Sequence, residues 1–143
     1  MKPVLILRIA AIVNLLYFAG HTSGIPWTPS TDAESLQIIE KMKLHSFDVS
    51  GSTRTYWDFY QGFGIIISVY LLGHTVALWL MSNLARANYG LARPFLALFL
   101  IETIVRSYLS WKFFFVVPLA MGIILAILLA LSLARRPAAH PGQ

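Results

Sequence analysis

The sequence contains no cysteine and few charged residues. Of its 143 residues, only 12% are Asp, Glu, Lys or Arg. The lack of cysteine excludes disulfides, thiolate metal sites and cysteine nucleophiles. The low charge, together with 57% hydrophobic residues and a mean hydropathy of +0.69, lies outside the usual range of soluble domains. The composition therefore predicts a protein whose main solvent is lipid.

Four apolar segments are long enough to cross a bilayer, whose hydrocarbon core of about 30 Å requires about 20 helical residues. They cover about residues 4–23, 57–82, 94–110 and 113–133. Pro94 suits the first turn of a helix, and only Trp111 and Lys112 join the last two segments, which predicts a tight antiparallel pair. We expect an all-α integral membrane four-helix up-down bundle, a single transmembrane domain over residues 1–143 with a tail at 134–143.

The basic residues predict an orientation and exclude one class of partner. An up-down arrangement places six of them at segment ends on one side: Lys2, Arg8, Arg86, Arg93, Arg135 and Arg136. The loop at 24–56, on the other side, carries three basic and four acidic residues. By the positive-inside rule, both termini are expected in the cytoplasm. Since the basic residues form no stripe, we predict no nucleic-acid partner.

The outer loop at 24–56 is predicted to contain a short amphipathic helix. After a proline-rich turn, the run from Thr31 to Glu34 fits a capping box that starts a helix. From Asp32 to His45, apolar residues recur at helical spacing. This helix is expected to rest on the membrane or on the mouth of the bundle, where it is a candidate lid.

Polar side chains inside the predicted spans are the informative ones, because each is expensive there unless paired or wetted. Asn14, Tyr17 and His21 are three and four residues apart and share one helix face. Glu102 and Arg106 are spaced i and i+4, which favours a salt bridge. One interpretation is structural, with hydrogen bonds and an ion pair between helices. In the other, these groups face a cavity and handle charge or a proton.

The start of the second span carries a further polar and aromatic group. Asp58 has two interpretations: a capping box with Thr55 that begins the helix, or an acid–base group. His74 lies about 24 Å further along the helix, at about 1.5 Å per residue. We therefore expect it toward the cytoplasmic side, away from the other polar residues. The histidine positions offer no metal-ligand spacing, so neither a metal nor a cofactor is predicted.

Folding the spans up and down brings the polar residues together in a pocket in the outer half of the bundle, roofed by the aromatic loop. The acid–base candidates are Glu102, Asp58 and His21. The expected ligand-binding residues are Asn14, Tyr17, Trp27, Trp57, Tyr60, Gln61 and Arg106.

Two motifs, Gly20-His21-Thr22 and the run from Ser52 to Gly64, resemble those of a family of small four-helix bacterial membrane proteins. This resemblance implies a location in the bacterial cytoplasmic (inner) membrane and carries no activity with it. The layout is also similar to emopamil-binding-type sterol isomerases and DoxX-like proteins. The sterol isomerases use acid–base groups in a membrane cavity, but their His and Glu pattern has no residue-by-residue match here.

Two functions fit these residues. We favour a non-catalytic or accessory role in which the pocket binds a membrane lipid or lipophilic small molecule, with a protein partner or homo-oligomer as a further possibility. The alternative is a membrane enzyme doing acid–base chemistry on a lipophilic substrate, of isomerase, cyclase or hydrolase type. Ion translocation ranks lowest, because it needs polar residues through to the cytoplasmic side and only His74 lies there.

Overall fold

A computed structural model describes residues 3–24 and 30–135. Its elements are α1 (Pro3–Gly24), α2 (Ala33–Leu44), β1 (Ser46–Val49), β2 (Ser52–Thr55), α3 (Tyr56–Ala87), α4 (Tyr89–Phe113) and α5 (Val116–Ala134). Within these ranges, α1, α3, α4 and α5 are long and apolar enough to cross a membrane. The all-α prediction is thus confirmed, with a small hairpin added. Trp27, Lys2 and the tail beyond Arg135 lie outside the described residues.

Three of the four long helices have ends that differ from the predicted spans, whereas α1 agrees with the first span to within one residue at each end. Helix α3 continues to Ala87, and α4 begins at Tyr89, so Pro94 lies inside α4 and not in its first turn. Only Asn88 separates the two helices, and its side-chain oxygen accepts a hydrogen bond from the Leu91 N–H (3.1 Å), which caps α4. Hydropathy marks the lipid-exposed length of a helix, whereas caps mark its ends.

The described residues form two compact units. One contains the described residues up to Tyr17 and from Leu71 onward; the other contains those from Phe18 to Tyr70. The first unit holds an apolar core contributed by α1, α3, α4 and α5. This core consists of Leu7, Ala10, Ala11, Leu78, Ala85, Ala92, Leu96, Leu125 and Leu129. Alanines at four of the nine positions let the helix backbones approach closely, as in helix pairs that pack within lipid.

The surfaces of the long helices are strongly apolar. Leu16, Ile66, Val69, Leu98 and Val116 each expose between 63% and 71% of their surface. Large apolar side chains exposed in such number are unfavourable in water and match a hydrocarbon solvent. The exposed side chains therefore agree with the length and composition of the helices.

Helices α4 and α5 form an antiparallel pair, joined by Phe114 and Phe115 and not by Trp111 and Lys112 as predicted. The Tyr89 hydroxyl at the start of α4 donates to the Ser132 carbonyl at the end of α5 (2.8 Å). Toward the connected end of the pair, Gly122 of α5 lies against Ser107 of α4, which leaves no room for a larger residue. These two contacts hold α4 against α5 at two separate places along the pair.

Helix α2 confirms the predicted helix in the outer loop, but its cap differs from the prediction. The cap is Asp32 and not Thr31: its Oδ1 accepts from the Ser35 N–H (2.7 Å), and its Oδ2 accepts from the Ser30 hydroxyl (2.9 Å). Hydrogen bonds from Ser35 and Ser30 lower the pKa of Asp32 to about 2, so the cap stays ionised at neutral pH. None of the residues of α2 is buried.

A β-hairpin that the sequence analysis missed connects α2 to α3. Strands β1 and β2 pair antiparallel, with Val49 opposite Ser52. Ser50 and Gly51 form the turn with φ of 51° and 78°, the left-handed conformation that two-residue hairpins require and glycine favours. Phe47 of β1 packs against the rings of Tyr56 and Phe59, so the hairpin rests on the start of α3.

Candidate functional site

The described residues bring an imidazole, a carboxylate and a guanidinium together in the unit that holds the apolar core. Glu102 of α4 lies between the other two groups. Its Oε2 is 3.9 Å from Nε2 of His74 on α3, and its Oε1 is 3.8 Å from Nε of Arg106 one turn along α4. The sequence left open whether Glu102 and Arg106 form an ion pair or line a cavity, and the structure places the two groups near each other. We call the three residues the polar triad.

The prediction that His74 lies apart from the polar residues was wrong. Its side chain is only 2% exposed, and its ring stacks on Phe99 of α4 with centroids 4.8 Å apart. His74 precedes Asn88 by 14 residues and Glu102 follows it by 14. Because the chain folds back at Asn88, residues equidistant from it meet at one level. That signal was available from the sequence, because His74 and Glu102 each lie eight residues from the facing ends of the predicted spans at 57–82 and 94–110.

Arg106 is the least satisfied member of the triad. Its side chain is 18% exposed, yet all three guanidinium nitrogens are shielded and find no hydrogen-bond partner among the described residues. Its closest charged neighbour, Glu102 at 3.8 Å, is beyond hydrogen-bonding distance. The guanidinium lies 5.9 Å from the centre of the Tyr17 ring, so an aromatic face lies beside the cation. A guanidinium carries five N–H donors, so this one still needs acceptors.

Asn14 ties α1 to α3 beside the triad. It is fully buried, and its Nδ2 donates to the Leu71 carbonyl (2.8 Å) and to the Thr75 hydroxyl (2.9 Å). The Thr75 hydroxyl donates in turn to the Leu71 carbonyl (2.9 Å). These contacts satisfy the amide donors and support the structural interpretation of Asn14. Its ligand-binding role stays a prediction.

We expect Asn14→Ala to lower the free energy of unfolding by about 1–2 kcal/mol, since two buried hydrogen bonds between helices are lost. Thr75→Val should be less harmful in the Asn14→Ala background than alone, because the two side chains share one bridge. Unfolding in mixed micelles measures both effects. Ser82→Ala is the matched control, because that buried hydroxyl donates within its own helix to Trp79. Strictly additive effects would show that the bridge does not form.

His21 and its neighbours lie in the other unit, where they join α1 to α3. Nε2 of His21 donates to the Gly64 carbonyl (3.1 Å), and the Thr22 hydroxyl donates to Ser68 Oγ (3.0 Å). The Gly20-His21-Thr22 motif therefore has a packing role against the motif that ends at Gly64. An acid–base role for His21 stays a prediction.

Asp58 forms the capping box that was one of its two interpretations. Its Oδ2 accepts from the Thr55 N–H (2.8 Å), and its own N–H donates to Thr55 Oγ1 (3.1 Å). Trp57 stacks on Tyr60 at 5.5 Å and lies 5.1 Å from the Lys43 ammonium. Gln61 is half-buried one turn further along α3. These four residues lie in the same unit as His21; their ligand-binding or catalytic roles stay predictions.

The polar triad offers two kinds of chemistry. Arg106 can bind an oxygen acceptor, and Glu102 beside His74 can exchange a proton. No group of three or more His, Asp or Glu residues in the described ranges could hold a metal ion. Comparison with protein-family models, curated proteins and solved structures gives no match to this chain.

Proposed function

We propose that this chain is a multi-pass membrane protein that binds the oxygen-bearing head of a lipophilic molecule at the polar triad. The four long helices would cross the bacterial inner membrane in an up-down bundle with both termini in the cytoplasm. This arrangement is supported by the four apolar helices and by the basic residues at their predicted cytoplasmic ends.

The observation that carries the proposal is the unsatisfied guanidinium of Arg106. A shielded charge without hydrogen bonds is costly to a fold, and more so in a low-dielectric surrounding. A structural ion pair would bring Arg106 and Glu102 into hydrogen-bonding distance, but their closest atoms are 3.8 Å apart. Acceptor oxygens of a ligand would accept hydrogen bonds from the guanidinium. They could reach it past Glu102, which is partly exposed.

The ligand is expected to have a hydrogen-bond acceptor at one end and an apolar body. Arg106 and Glu102 carry opposite charges, so the pair does not require a charged ligand, but every donor of Arg106 seeks an acceptor. Apolar side chains flank the triad on α4, where Ile101 and Val105 are exposed. A fatty acid meets these requirements, whereas a fatty amine of equal length brings a cation to Arg106.

The experiment compares hexadecanoic acid with hexadecylamine in thermal unfolding of the purified chain. A ligand that binds only the folded chain, at about 100 times its Kd, stabilises it by about 2.7 kcal/mol. We expect the acid to stabilise the wild type and the amine not to. Arg106→Gln should abolish the response, and Lys112→Gln, which removes an exposed cation from the same helix, should keep it. Equal responses to acid and amine would refute the proposal.

A second candidate function, acid–base catalysis, is favoured by one distance, the 3.9 Å between His74 and Glu102. An imidazole beside a carboxylate can take a proton from a substrate and return it elsewhere. Incubating the chain with lipid extract in D₂O would show this as deuterium incorporated into a lipid. Incorporation that is lost in Glu102→Gln would establish an enzyme, and equal incorporation in both proteins would exclude Glu102 as the base.

A further inference from the structure

We propose that a groove between the β-hairpin and α3 is a second binding site, specific for a phospholipid with a phosphoethanolamine head. The groove is open on one side and has a volume of about 480 Å³. Its lining includes Arg54, Asp58, Phe59, Gly62, Phe63 and Ile66. All belong to the unit of residues 18–70, and none is a member of the polar triad.

Opposite charges mark one end of the groove. Arg54 comes from β2 and Asp58 from the first turn of α3, and both line the groove. Arg54 Nη1 donates to the Thr53 carbonyl (2.7 Å), which orients the guanidinium. The capping box fixes Asp58 through its Oδ2. Both side chains are exposed, so the groove presents a cation and an anion to a ligand.

The other part of the groove is apolar and follows α3 toward the predicted bilayer. Phe59, Phe63 and Ile66 recur at helical spacing and expose 42%, 60% and 63% of their surface. Between them Gly62 leaves the floor open, because a Cβ built there meets nothing within 4 Å. An acyl chain has room along this stripe, which lies in the first turns of the predicted second span.

Charge complementarity identifies the occupant. A phosphoethanolamine head carries a phosphate for Arg54 and an ammonium that can donate hydrogen bonds to Asp58. A phosphocholine head has the same charges but no N–H donor for the carboxylate. A phosphoglycerol head satisfies Arg54 and brings no cation to Asp58. The groove should therefore prefer phosphatidylethanolamine over phosphatidylcholine and over phosphatidylglycerol of identical chains.

Native mass spectrometry of the full chain, released from vesicles with equal amounts of these three lipids, tests the preference. We expect phosphatidylethanolamine to be retained at least about fivefold over the other two lipids, because one charge-assisted hydrogen bond accounts for a preference of that size. Arg54→Gln should lower its retention roughly five- to tenfold. The control Lys41→Gln, which removes another exposed cation of the same loop, should bind phosphatidylethanolamine as the wild type does. Equal retention of the three lipids by the wild type would overturn the proposal.

Two further variant pairs separate lipid binding from folding. Gly62→Leu fills the groove and should expel the lipid, whereas Gly73→Leu places the same side chain on the same helix outside the groove. Asp58→Asn should remove the preference over phosphatidylglycerol. Thr55→Ala, which weakens the cap but keeps the carboxylate, should preserve it. If Gly73→Leu expels the lipid as Gly62→Leu does, or Thr55→Ala loses the preference as Asp58→Asn does, the groove is not the site. Arg106→Gln should leave this retention unchanged, so the two proposed sites can fail independently.

Discussion

Glu102→Gln is expected to lower the free energy of unfolding by about 3 kcal/mol, and adding Arg106→Met is expected to restore most of it. The single change leaves the shielded guanidinium of Arg106 without a counter-charge. The second change removes that cation and keeps an apolar side chain of similar length. Removing both charges also removes the cost of burying them, which offsets the attraction that is lost.

The double variant separates a binding site from a structural ion pair. If the charges serve ligand binding, Glu102→Gln/Arg106→Met is as stable as the wild type or more so, and no longer responds to hexadecanoic acid. If they hold α4 in place, the double variant remains as unstable as the single one. Denaturation in mixed micelles measures the stability, and Glu40→Gln at an exposed position of α2 is the control for removing a carboxylate. A double variant as unstable as Glu102→Gln alone would show that the triad stabilises the fold and is not a binding site.

The number and type of the long helices could be predicted because a bilayer imposes a minimum apolar length on each. Their ends could not, because helices continue past the apolar run wherever caps allow. Arg86 lies in the last turn of α3, and Asn88 alone caps α4. The hairpin left a readable signal, Ser50 and Gly51 between β-branched and aromatic residues, but strands this short give weak periodicity.

The candidate site was only partly predictable. The spacing of Glu102 and Arg106 gave their pairing directly, since local helical contacts follow from sequence distance. The contact of His74 with Glu102 follows from the reversal at Asn88, which is also the midpoint of the predicted connection, so the sequence carried this signal although it was not used. The lack of acceptors around Arg106 could not be predicted at all, because it depends on which neighbouring side chains face it in three dimensions.

Gly122→Ala is expected to destabilise the α4–α5 pair by about 1–3 kcal/mol, the usual effect of overpacking. A Cβ at this position would collide with the Ser107 hydroxyl and lie 3.2 Å from the Ser107 Cβ. The hydroxyl is itself held by donation to the Thr103 carbonyl (2.7 Å), so it does not rotate away freely. Gly73→Ala is the matched control, since a Cβ there meets nothing within 4 Å.

Adding Ser107→Gly to Gly122→Ala should recover much of the loss, because it moves the small residue from α5 to α4 and restores the close approach. Ser107 directly follows Arg106, so a displaced α4 also displaces the guanidinium. The response to hexadecanoic acid should therefore fall in Gly122→Ala and return in the double variant, in parallel with stability. A Gly122→Ala protein as stable as Gly73→Ala would show that the helices separate without strain. In that case, the position of Arg106 does not depend on this contact.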